Sequence, residues 1–510
     1  MKNEKSIYLL GFILILFVFA GSGFCLAQQD GEDVVIGKYR VLHSKILNED
    51  RTLLIHLPRG YEGAQQHYPV MYMLYGDHVT TYFAEAVSIL DTLGPTGRIP
   101  DCILVGIMNT DRYRDLLPLA PDGKPTGIED FTRFLVEEAF PFIEGNYRTK
   151  DYRILVGPQA GANFGLATLF EHPDLFAAFI LNHPFRWRGG RDDIMRKAEA
   201  FLKRNSAFRK FLFITYDESD PLAVEGIGYI KRFSAMTETR NPEGFSLVLN
   251  YIEKNDEFLQ RLGLREGLKK LFEAYPFPEN RQVEKLEDIL AFYRELSQKF
   301  GFAVDPPEHV LSVQGDGLLQ RGKVSEVIEI LKYTMEQYPR AANSYFRMAN
   351  MLRRGGNLEE AREYLRKALE MIPHDSGMIR SQLAALEKRI AKSAAFQVEK
   401  SINSAGIDQG IQKFRELKAM PQSRFYFDEG EFNELGYRLM QTGNLNGAIK
   451  IFNINAELYP ASANVYDSLG EAHMANGNKK LAIENYEKSL QLNPENKNAI
   501  EMLKQLRSNK

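Results

Sequence analysis

The rhythm of apolar and polar positions changes once, near the middle of the chain. Up to about residue 275, short apolar runs alternate with stretches of helical spacing. Residues 40–58 divide into two β segments, the second (52–57) strongly apolar. Residues 68–74, 102–107, 152–156, 178–181, 211–215 and 245–251 each read as one more strand. Between them, helical spacing marks 83–93, 131–147, the stretch after Gly161, and 267–274. Strands alternating with helices predict an α/β architecture, a mostly parallel sheet covered on both faces.

Tyr275-Pro276-Phe277-Pro278 interrupts this pattern, and 283–300 follows as an amphipathic helix with Leu286, Ile289, Leu290, Tyr293 and Leu296 on one side. From about residue 306 only helical spacing remains, with a period of 34. Phe432, Leu435, Gly436, Gly443, Ala448, Phe452 and Pro460 recur 34 residues on as Tyr466, Leu469, Gly470, Gly477, Ala482, Tyr486 and Pro494. Tyr345, Met348, Ala349, Leu352, Gly356, Ala361, Leu365, Ala368 and Pro373 form an earlier unit, and Leu311, Gly315, Leu318, Gly322, Leu331 and Pro339 one before it. This spacing resembles the tetratricopeptide repeat. The resemblance implies an all-α superhelix whose concave face takes a protein or peptide partner. Residues 377–420 are off register and read as helices of a degenerate or inserted unit. The expected domains are therefore 1–27, 34–275, a connecting helix at 276–305, and repeats at 306–508.

Residues 1–27 read as a secretory signal: Lys2 and Lys5, an apolar core from 7 to 20, and small residues near Ala27. This predicts a secreted or periplasmic protein with no membrane span once the signal is removed, a retained anchor being the alternative. A net charge of −3 without a basic run gives no electrostatic reason for nucleic-acid binding.

Candidate chemistry centres on Gly157-Pro158-Gln159-Ala160-Gly161-Ala162, between a strand and a helix. Strand, glycine turn and helix are the setting of the nucleophile elbow G-x-S-x-G. Both glycines are present, but Gln159 stands where the serine belongs, and no base can activate an amide as a nucleophile. The acid of such a triad follows the next strand but one, where Asp217, Glu218 and Asp220 stand, Asp217 being the candidate acid. An imidazole should come later still, yet the sequence holds no histidine from 185 to 304.

The stretches HSKILNEDRTLLIHLPRGY, YPVMYMLYG, ILVGIMNTDRYRDLLP, FLVEEAFPFIEGNYRT, RILVG and HPDLFAAFI together resemble the putative esterase family, the esterase D and enterochelin-esterase-like α/β-hydrolases. The resemblance covers about 41–272 and implies the α/β-hydrolase fold and carboxylic-ester hydrolysis. It places the family's histidine near Asp256, and its pocket at Tyr75, Gly76, Gln159, Ala160, His183 and Trp187. With serine and histidine replaced, the expected function is non-catalytic binding, of protein through the repeats or of a small molecule in the retained pocket. The alternatives are an ester hydrolase using other residues and a siderophore or small-molecule binder. No cofactor is expected. Asp77, His78 and His183 have no recognisable metal-ligand spacing, and Arg112, Arg114 and Asp115 read as a structural ion-pair loop.

Overall fold

The computed structural model describes residues 35–74, 79–108, 111–120, 122–217, 224–252, 259–372, 376–421 and 423–508. The expected signal at 1–27 lies outside them. Two compact units form, Gln28–Ser344 and Tyr345–Lys510.

The first unit is built on eight strands: β1 (Lys38–Ser44), β2 (Glu49–His56), β3 (Tyr68–Leu74), β4 (Ile103–Ile107), β5 (Thr149–Pro158), β6 (Ala178–Asn182), β7 (Ala207–Asp217) and β8 (Glu243–Ile252). They lie in the order β1-β2-β4-β3-β5-β6-β7-β8. β1 and β2, and β2 and β4, pair antiparallel; every other pair is parallel. This is the mostly parallel sheet that the alternation predicts. β3, β4 and β6 are buried at every position, because helices cover both faces of a parallel sheet. Tyr72 of β3 shows the packing, its ring 4.8 Å from that of Phe140 and 6.2 Å from that of Phe176. The chain moves outward to β4 after β3 and returns to the other side of β3 at β5. The carboxyl ends of β3 and β5 therefore flank a switch point, where open α/β sheets leave a crevice.

Each strand read from the sequence lies within, or within one residue of, an observed one. Two long helices were not read, Arg191–Arg204 and Val224–Arg240. The helical stretch at 131–147 is Ile128–Phe134 and Phe140–Asn146 joined by a π-turn, Leu135–Ala139, next to Pro141. Proline has no N–H for the regular ladder, and the wider turn absorbs that break.

The first unit does not stop at the Pro276 break. Helix Leu286–Phe300 starts where the Asp288 carboxylate accepts the Glu284 and Lys285 amides, and it ends at Gly301 with φ 80°. The pair Glu308–Gln320 and Val324–Gln337, repeat-like by sequence, belongs to this unit as well. Tyr338 Oη donates to Pro306 O at 2.9 Å and accepts from Gln66 Nε2 at 2.6 Å, while Lys150 Nζ meets Asp305 Oδ2 at 2.9 Å. These contacts bind the helix pair to the starts of β3 and β5.

Helices make up the second unit's described residues apart from short connections and one isolated bridge, Ser393 with Tyr426. Its paired helices include Glu429–Gln441 with Leu445–Leu458, and Ala463–Ala475 with Lys479–Leu492, followed by Lys497–Ser508. A methyl group on Gly436 would stand 2.4 Å from the Phe452 ring, and one on Gly470 3.0 Å from the Tyr486 ring. Small residues thus let each pair close around its aromatic. The turns repeat as strictly as the packing: Gly443 and Gly477, 34 residues apart, have φ 79° and 78°. The off-register stretch forms Gly377–Lys392, Ala394–Ala405 and Ile407–Lys418, the last two joined by Gly406 alone at φ 88°. No helix among the described residues is long and apolar enough to cross a membrane.

Candidate active site

β5 ends at Pro158 and helix Ala160–Glu171 begins two residues later, so the chain reverses at Gln159. Its dihedrals, φ 53° and ψ −109°, are a strained combination for a residue with a side chain. The neighbours enforce it. A Cβ on Gly157 would stand 2.3 Å from Gly161 O, and one on Gly161 2.6 Å from Leu74 O. Strand and helix approach too closely for either position to carry a side chain. The Gln159 amide donates to Asn182 O at 2.7 Å, and its carbonyl accepts from Ala162 and Asn163 at 3.0 and 3.2 Å. Gly161→Ala is expected to cost about 1–3 kcal/mol, since its clash is with backbone, and urea unfolding monitored by the single Trp187 would measure it. A loss below about 0.5 kcal/mol would show that the bend can relax.

The sharp bend is therefore formed, and it presents an amide. The rest of the site depends on the ends of β6 and β7. Asn182 pairs with Thr215, and the next amide, of His183, donates to Thr215 O at 2.8 Å. His183 has φ 52°, which turns its ring across to Asp217 at the end of β7. Nε2 lies 2.8 Å from Asp217 Oδ2, with both side chains almost wholly buried. The Asp217 backbone amide also faces Nε2, at 3.3 Å, so main-chain and side-chain atoms of Asp217 both meet the ring. Asp217 thus has an imidazole, a correction to the expectation that none exists for it. The triad order places the histidine after the acid, whereas this one comes from the end of the preceding strand.

Loop contacts hold His183 in place. Asn163 of the elbow helix accepts the Phe185 amide at 2.7 Å, and Arg191 donates to Arg186 O at 2.9 Å and pairs with Glu225 at 2.8 Å. Trp187 meets Tyr113 edge to face with ring centres 5.3 Å apart. Behind the sheet ends, Asn182 Oδ1 and Thr215 Oγ1 are buried without a hydrogen-bond partner among the described residues. Each lies 2.7 Å from where a Cβ of Gly263 would stand, so helix Leu259–Leu271 rests directly on them. The adjoining cavity, between Met73, Glu85, Pro158 and Leu264, is about 20 Å³, room for a single water.

Of the other expected pocket residues, Ala160 is buried at the helix start and Trp187 is half-buried. Tyr75, Gly76, Asp77, His78 and Asp256 lie outside the described residues. Among the described residues, no group of three His, Cys, Asp or Glu side chains is placed to hold a metal.

The charged loop after β4 is structural. Asp111 caps helix Arg112–Leu116 by accepting from the Tyr113 and Arg114 amides. Asp115, fully buried, receives Arg51 at 2.8 Å and Arg114 Nε at 2.7 Å, and Arg114 also reaches Glu49 at 2.7 Å. The buried Arg51 guanidinium lies 5.6 Å from the Phe131 ring centre.

Residues 44–199 match the family described as putative esterase, and residues 342–375 and 463–496 match the tetratricopeptide repeat. The chain is 26% identical over 145 residues to the uncharacterized protein YjcH of Bacillus subtilis, which covers 28% of this chain; the chain spans 59% of that relative's length. Among solved structures, an IroE-like serine hydrolase from Shewanella oneidensis is 23% identical, with a TM-score of 0.49, over 58% of this chain and 98% of that one. An uncharacterised protein from Capnocytophaga ochracea is 17% identical, with a TM-score of 0.46, over 69% and 99%. The siderophore hydrolase EstB from Aspergillus nidulans is 17% identical, with a TM-score of 0.41, over 50% and 100%. The chain thus carries a domain of the putative esterase family and, after it, tetratricopeptide repeats.

Proposed function

We propose that the esterase-family domain is a non-catalytic binding domain and that the repeats engage a protein or peptide partner. One observation carries this reading: the strained elbow is intact, yet residue 159 is a glutamine. Serine hydrolysis requires a hydroxyl oxygen to attack the ester carbonyl while a base takes its proton. The amide nitrogen of Gln159 is delocalised into its carbonyl, so its lone pair is not available for attack. His183 is committed to Asp217 at the ends of β6 and β7, so the acid of the expected triad already has its hydrogen bond. The signal-like start of the chain supports a binding role in the periplasm or outside the cell.

The pure protein is expected neither to turn over p-nitrophenyl acetate nor to be labelled by a fluorophosphonate. Gln159→Ser alone is expected not to create either activity. Labelling of that variant at position 159 together with turnover would show that a base is within reach of the elbow, and would end the non-catalytic reading.

The buried His183–Asp217 pair supports a second reading, hydrolysis of an ester by water that the imidazole activates. Turnover that survives Gln159→Ala but disappears in His183→Gln, a variant that keeps a donor for Asp217, would favour it.

A further inference from the structure

A second polar cluster lies in the repeats, between helices Glu429–Gln441, Ala463–Ala475 and Lys479–Leu492. Tyr437 Oη donates to Glu471 Oε2 at 2.8 Å and stands 3.2 Å from Ser468 Oγ. Asp467, one turn before Glu471 on the same face of its helix, accepts from Asn496 and Asn498 at 2.9 and 2.8 Å. Both carboxylates are half-buried. Among the described residues no lysine, arginine or histidine pairs with either, whereas the exposed Glu457 and Glu487 have Lys418 and Arg507.

Tyr486 is the member that points to a ligand. Its ring lies across Gly470, where a Cβ would stand 3.0 Å from Cδ1 and 3.1 Å from Cε1. Gly470 falls between Asp467 and Glu471 in the helix, so the phenol end lies among them. Burial first, and then the charges of Asp467 and Glu471, push that phenol above its ordinary value. The side chain is 0% exposed, and its Oη has no hydrogen-bond partner among the described residues. A buried hydroxyl left unpaired destabilises a fold, so one that persists calls for a reason. The cluster thus gathers two carboxylates and two phenol oxygens around a missing cationic donor.

We propose that this cluster is a subsite for the ammonium of a lysine side chain carried by a protein partner. An ammonium is compact, with three donors and no acceptor, which complements a cluster rich in acceptors. A guanidinium fits less well, because its fork wants a carboxylate with both oxygens open. Glu471 has one oxygen taken by Tyr437, and Asp467 has both taken by Asn496 and Asn498. Met440 and Met474, three residues after Tyr437 and Glu471, are half-buried and offer apolar surface to a four-carbon stem. An amino terminus has no such stem. The subsite rests on the reading that the repeats engage a partner, but the two fail separately, since a partner held elsewhere on the repeats would satisfy that reading alone.

The full chain with isotope-labelled methionine methyls tests this by magnetic resonance, with Nα-acetyl-lysine methylamide as the probe. Saturable shifts of Met440 and Met474 are expected, and none with the Nε-acetylated form, which has lost its charge. Glu471→Gln is expected to weaken binding about tenfold. Tyr486→Phe is expected to weaken it about threefold without lowering the urea midpoint of the helical signal, since the hydroxyl has no partner to lose. Absence of shifts, equal shifts with the acetylated form, or unchanged affinity in Glu471→Gln would overturn the subsite. So would a lower urea midpoint in Tyr486→Phe, which would show the hydroxyl to be paired already. Tighter binding of alanine methylamide or of Nα-acetyl-arginine methylamide would overturn the assignment to a lysine side chain, in favour of an amino terminus or a guanidinium.

Discussion

Asp115→Ala is expected to lower the stability of the first unit by about 3–5 kcal/mol, the cost of breaking a buried ion pair by removing one partner. Asp115 is fully buried and joins two guanidiniums, those of Arg51 and Arg114. Arg51 is equally enclosed, over the rings of Phe131 and Phe134, and would keep Glu49 as its only carboxylate. It cannot swing into water, because β2 and the helix Ile128–Phe134 enclose it. The midpoint of urea unfolding should fall with little change in slope, which separates a loss of stability from a change of unfolded state. A loss under about 1 kcal/mol would mean that water enters and solvates Arg51. Arg114→Ala, at a half-exposed member of the same cluster, should cost far less.

His183→Ala is expected to cost about 2–4 kcal/mol, because it removes a close polar partner of a buried carboxylate. The Asp217 side chain is 3% exposed, and His183 Nε2 lies 2.8 Å from its Oδ2. His183→Gln should recover part of the loss by returning an N–H donor. The same measurement tests the site geometry: if His183→Ala is neutral, the 2.8 Å contact is not a hydrogen bond that stabilises the fold. The substitution should also disturb the loop from Phe185 to Arg191, where Trp187 fluorescence would report it independently of unfolding.

Much of this was legible from residue order. The strands at 68–74 and 178–181 could be read because their apolar runs are unbroken, as burial on both faces requires. The 34-residue period could be read because the same glycines must turn and the same small residues must admit an aromatic. Helix Arg191–Arg204 was missed although Ile194, Met195, Ala198 and Leu202 form its buried face. Its charged remainder, from Arg191 to Arg204, masks the apolar stripe. At the site, the glycines gave away the bend, since only close backbone approach explains both. The His183–Asp217 contact was not legible. It depends on strand register and on a positive φ at a histidine, and neither leaves a local mark. The attachment of 306–344 to the first unit was hidden for a related reason: the repeat pattern records how a helix pair packs internally, not what lies against it.

Gly157 and Gly161, rather than the residue between them, set the backbone at the elbow. Position 159 is therefore a mount whose geometry is independent of what it carries. A cysteine placed there and tagged with a nitroxide or a small fluorophore would be held at a fixed point above the switch between β3 and β5. Such a reporter would sense any molecule entering the crevice without needing a reaction to reveal it.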